Sequence, residues 1–84
     1  MPIKFYGYTD DDLKVDQPTP LRLSEVTLSA SPAELRSIAN FLMRAAEEIE
    51  QFGAEWEHEH LCDNEQGFDD SPSFVVFNSS LERT

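Results

Sequence analysis

A single cysteine, Cys62, leaves no partner for an internal disulfide. Three glycines are too few for a phosphate-cradling P-loop or a dinucleotide-binding turn. Six Lys and Arg against 17 Asp and Glu give a formal charge of -11. That deficit of basic residues argues against nucleic-acid binding, because phosphate contacts need Lys and Arg. It also disfavours anionic membrane surfaces. No apolar run approaches the ~20 residues of a membrane span. "MPIKFYGY" lacks the apolar stretch of a secretory leader. The expectation is a cytoplasmic protein with neither nucleic acid nor membrane as partner.

What remains is a small acidic chain of 84 residues. A chain of this size buries ~60–65% of the surface its unfolded form exposes, so the core is thin. Self-association enlarges such a core, and a homodimer is expected. The excess of carboxylates suits solubility and equally suits a basic partner.

Along the chain, "IKFYGY" (3–8) is aromatic and β-branched and predicts a strand. "TDDDLKVDQPTP" is a loop, followed by a second strand over Leu21–Ala30. Alternation changes phase inside that strand, and a bulge at Ser24–Glu25 would absorb the shift. "SPAE" is a helix start, with Ser31 as N-cap, Pro32 in the first turn and Glu34 closing a capping box. The helix is expected over 32–52, ending at Gly53. Leu35, Ile38, Ala39, Leu42, Ala46 and Ile49 form its expected buried face. Phe41, Ala45 and Phe52 widen the stripe, either over a sheet edge or toward a second subunit. "EWEHEHL" and "FVVFN" predict third and fourth strands. The expected fold is α+β, in the order β-β-α-β-β. One long amphipathic helix packs on a four-stranded, mainly antiparallel sheet. A single domain over 1–78 and a flexible polar tail over 79–84 complete the reading.

The unusual stretch is "WEHEHLC", 56–62. On a strand, residues two apart share a face and lie roughly 6.5–7 Å apart. Trp56, His58, His60 and Cys62 would line one face, with Glu57, Glu59 and Leu61 on the other. His58 and His60 are weak metal-ligand candidates, since further ligands must come from elsewhere. A metal-binding protein or small metal-dependent enzyme is the alternative they leave open, beside a dimeric adaptor. Cys62 and His60 do not form a catalytic dyad at this spacing. The histidine face lies either under the helix or on the open side of the sheet.

Two acidic runs remain, Asp10–Asp11–Asp12 and Asp69–Asp70. They are solvated loops or, together with Glu55, Glu57 and Glu59, a docking field for a basic protein. "DDDLKVDQPTPL" is not a calcium loop, as it lacks the glycine and glutamate that an EF-hand needs.

"LSEVTLSASPAELRSIANFLMRAAEEIE" followed by "EHEHLCD" resembles short immunity proteins of bacterial polymorphic toxin systems. The shared pattern is a strand, an S-P-x-E-L helix start, one long helix and an H-E-H-L-x-D-type strand. Ser31, Pro32, Glu34, Leu35, His58, Glu59, His60, Leu61 and Asp63 match it. The resemblance implies a non-enzymatic protein that binds and neutralises a cognate toxin and needs no cofactor. Read with the charge, it suggests a basic nuclease whose phosphate sites the carboxylates occupy. The expected partner-binding residues are Asp10, Asp11, Asp12, Glu57, His58, Glu59, His60, Asp69 and Asp70.

The incomplete ligand set predicts that folding needs no metal. Adding a chelator should leave the melting temperature unchanged; a sharp fall would reveal a structural ion.

Overall fold

The computed structural model describes residues 2–82. Its longest element is helix α1 (Pro32–Phe52), set by local chemistry at both ends. The Ser31 hydroxyl accepts from the Glu34 amide at 3.2 Å, and the Ser31 amide donates to the Glu34 carboxylate at 2.7 Å. These reciprocal bonds satisfy amides that the first helical turn leaves without partners. At the far end Gly53 adopts φ 57°, a left-handed conformation that favours glycine, and its amide closes on Ile49. The chain then makes a 3-10 turn over Gly53–Glu55.

Among the described residues four strands form, but in two sheets rather than one. Strand β1 (Phe5–Gly7) pairs antiparallel with β2 (Leu21–Leu23), and β3 (His58–His60) pairs antiparallel with β4 (Val75–Phe77). The expected four-stranded sheet is thus replaced by two ribbons. Each strand is three residues long, too short to present a continuous edge to the other pair. The phase change near Ser24 marks the end of β2, not a bulge within it. Among the described residues, no backbone-to-backbone hydrogen bond reaches Glu25–Ala30.

Helix α1 packs on β3–β4, but by a face rotated from the expected one. Ile38, Phe41 and Ala45 are buried, whereas Leu35 and Leu42 are 45% and 43% exposed. The rotation has a physical cause. Opposite the helix lie Leu61, Phe68, Phe74 and Val76, an aromatic-rich surface that takes Phe41 edge-on to Phe74 at 6.3 Å. The Trp56 indole N–H donates to Glu48 at 2.8 Å, fixing the same flank of the helix. Leu61 opens the short helix α2 (Leu61–Asn64), and its amide bonds the Phe74 carbonyl.

Asn78 is the most buried polar residue, 2% exposed, and every polar atom of its side chain is used. Its amide group donates to the carbonyls of Gly53 at 3.1 Å and Trp56 at 3.0 Å. Its side-chain oxygen accepts from the Ser80 amide and hydroxyl. Its backbone amide donates to Glu57. The α1–β3 connection, β4 and the following segment are joined at this residue. Residues 79–81, read from sequence as part of a polar tail, form a 3-10 turn here.

The fold is spread out for its mass. It exposes 7272 Å², against about 5,100 Å² for a monomeric globular protein of this size. Its radius of gyration is 13.8 Å, where about 12 Å is usual for this length.

Asn78→Ala should cost about 2–3 kcal/mol in a denaturant titration, because the buried Trp56 carbonyl and the part-buried Gly53 carbonyl lose their donor. Phe41→Ala should cost about 3–5 kcal/mol, whereas Leu42→Ala, at a half-exposed site, should cost under about 1 kcal/mol.

Candidate functional site

Strand β3 sorts its side chains by alternation. Val76, opposite Glu59, packs toward the core, as do Phe74 and Leu61. The other side of the ribbon carries His58 opposite Phe77 and His60 opposite Val75. Val75 and Phe77 are exposed, as is His58, while His60 is half-buried. The histidine face is therefore the open face of this sheet. The two rings meet edge-on with centroids 5.4 Å apart. His58 Nδ1 lies 2.8 Å from a Glu57 carboxylate oxygen.

Trp56 and Cys62 leave this face. Trp56 turns onto α1 and is buried. Cys62 falls in α2, where the strand has already ended, and is exposed. Among the described residues, no three His, Cys, Asp or Glu side chains converge to hold a metal ion.

The acidic residues are unevenly distributed. Residues 45–82 contain eleven carboxylates and no Lys or Arg. Residues 1–44 contain six carboxylates and five basic side chains. Nearly all the net charge thus sits on the end of α1, β3, α2 and the 63–70 segment. Arg44 reaches into this region from α1, donating to the Asn64 carbonyl and pairing with Glu65. Residues 62–67 and Asp69 line a shallow polar depression of about 250 Å³. Glu59 accepts from Asn64 at 3.4 Å, and Asp69 and Asp70 are exposed.

Asp10, Asp11 and Asp12 lie elsewhere, in the β1–β2 connection. Asp12 accepts from the Thr9 amide at 2.9 Å and starts a 3-10 turn over Asp12–Lys14. Asp11 pairs with Lys14 at 3.1 Å. Two of these three carboxylates therefore have partners within their own loop.

Among the described residues, Glu82 ties the acidic half to the β1–β2 ribbon by side-chain hydrogen bonds. Glu82 accepts from the Tyr6 hydroxyl at 2.5 Å and from Lys4 at 3.1 Å. The Tyr6 hydrogen bond, then that of Lys4, lowers the Glu82 pKa below the usual glutamate value. The same Tyr6–Glu82 bond raises the Tyr6 pKa.

A family model described as Immunity protein 32 matches residues 25–80. The chain belongs to this immunity protein family. The matched span includes all of α1, both strands of the open histidine face and most of the acidic half. Membership of an immunity family suggests a toxin-neutralising role and implies a toxin as partner. No curated protein and no solved structure matches the chain. No helix among the described residues is long and apolar enough to cross a membrane.

The Glu82 contact has a pH window. Its carboxyl titrates below the unfolded value, so its contribution is present above that value and is lost as pH falls through the folded one. Tyr6 is opposite in sign: its contribution is complete below the unfolded tyrosine value and is lost as pH rises through the raised one. The contact should hold from about pH 5 to about pH 10. An ultraviolet titration should show Tyr6, identified with Tyr6→Phe, ionising at lower pH once Glu82→Gln removes the carboxylate.

Proposed function

We propose that this immunity protein neutralises a basic toxin by direct binding, with the acidic half of the chain as its docking surface. The observation that carries the reading is the run of eleven carboxylates without a basic residue over 45–82. Such a field attracts a positively charged partner and raises its association rate. A nuclease fits this chemistry, because its active-site groove is basic in order to hold phosphates. Exposed carboxylates of Glu57, Asp69 and Asp70 then stand where phosphate oxygens bind. His58 and His60 extend the surface, with Val75 and Phe77 supplying apolar contact beside the charges. Asp10, Asp11 and Asp12 contribute long-range attraction, and Asp11 less so because Lys14 screens it.

The acidic half also supports binding over catalysis. Its carboxylates are exposed and spread over several elements, and the depression between them is shallow and open. The protein acts as an inhibitor and needs no cofactor. Its natural setting is the cytoplasm of the cell that makes the toxin.

Co-expression with the toxin encoded by the neighbouring gene should protect the cell, and the two proteins should co-purify. Reversing Asp69 and Asp70 to Lys should slow association about tenfold, with a smaller change in dissociation, and the defect should shrink in high salt. Reversing Asp10, Asp11 and Asp12 should have a weaker effect of the same kind. A growth defect without protection, and no complex, would remove the proposed role.

A further inference from the structure

An open groove of about 510 Å³ runs between Phe5 with residues 26–30 on one side and α1 with residues 68–74 on the other. Val26, Leu28 and Phe5 line its outer rim, and Ile38, Phe68 and Phe74 lie deeper. Glu34 is the one charged residue lining it, and its carboxylate is engaged in the helix cap. Val26 and Leu28 are 51% and 49% exposed.

Beside this groove runs a segment with the composition of a strand and no strand partner. "EVTLSA", 25–30, alternates β-branched and apolar residues with polar ones. Its backbone groups make no backbone hydrogen bond among the described residues. An unpaired segment of this kind is a template for pairing with another chain.

We infer that this face is a self-association surface, and that its occupant is a second copy of the same chain. Residues 25–30 pair antiparallel with the same residues of the second copy across a two-fold axis. Centring the pairing on Thr27 sets Val26 opposite Leu28 of the second copy and Glu25 opposite its Ser29. Apolar side chains then meet across the axis, and the two Glu25 carboxylates stay apart.

Charge selects the second copy as occupant. The groove draws on both halves of the chain, with Leu61, Phe68 and Phe74 among its lining, yet Glu34 is the one charged residue there and is already engaged in the helix cap, so two copies meet here without strong repulsion. Meeting through the exposed carboxylates of β3, α2 and residues 63–70 would set like charges against each other. A basic toxin has no comparable reason to prefer this nearly uncharged lining. Area agrees as well. The chain exposes 7272 Å², about 2,000 Å² more than a monomer of its mass should, and a stable interface needs about 800 Å² from each partner.

Sedimentation equilibrium on the protein alone tests the arrangement without reference to any toxin. The wild type at micromolar concentration should run at twice its 9.6 kDa monomer mass, and high salt should not dissociate it. Leu28→Glu places two new charges in the interface and should weaken the dimer at least about tenfold. Thr27→Pro removes an amide donor from the proposed ladder and should weaken it independently. Both variants should keep the wild-type circular dichroism spectrum, and Asp69→Lys should leave the dimer intact. A wild-type monomer under these conditions, or a dimer indifferent to both Leu28→Glu and Thr27→Pro, would overturn the inference.

Discussion

Asn78 stands where three segments cross, and the local geometry of the acidic half depends on its four side-chain hydrogen bonds. A domain this thin has little apolar burial with which to fix the path between α1 and β3. A buried amide does that work by geometry instead. Its two donors hold the carbonyls on either side of the 3-10 turn, and its oxygen gathers the chain after β4. A satisfied buried polar group specifies one arrangement, because any displacement leaves donors and acceptors without partners in a low-dielectric site. The open histidine face begins two residues after the carbonyl that Asn78 holds.

Against this local order stands a cost from charge. Eleven carboxylates over 45–82 repel one another in the folded state. The structure relieves a few of them with neutral donors or imported cations. Trp56 donates to Glu48, Asn64 to Glu59, and Arg44 crosses from α1 to Glu65. Tyr6 and Lys4 reach Glu82, and His58 lies against Glu57. Most of the others are left to solvent. A binding surface of this kind gains when a cationic partner arrives, since binding removes repulsion that folding had left in place.

The sequence carried some of this clearly and some of it not at all. Helix α1 was legible to the residue at both ends, because Ser31, Pro32, Glu34 and Gly53 act through bonds within one turn. The class was legible too, as alternation and helical spacing are local. The single sheet was not, because pairing between distant strands leaves no mark on either one. The buried face of α1 is not fixed by spacing alone, for a related reason. Leu35 and Leu42 fit the helical period as well as Phe41 does, and only the aromatic surface opposite decides between them. The openness of the histidine face, one of two outcomes the alternation allowed, depended on that same packing. Asn78 gave no signal, since one asparagine after an apolar run looks like an ordinary turn residue.

The β1–β2 ribbon has a thermodynamic consequence of its own. It is a two-stranded element of three residues per strand, anchored by Lys4 and Tyr6 to a half-buried carboxylate. Two strands alone are marginally stable in water. Its opening free energy therefore lies well below that of the α1 core, and amide protons of the two parts would exchange on different timescales. The molecule is a graded solid: firm where α1 meets Phe74 and Leu61, and soft along its N-terminal margin.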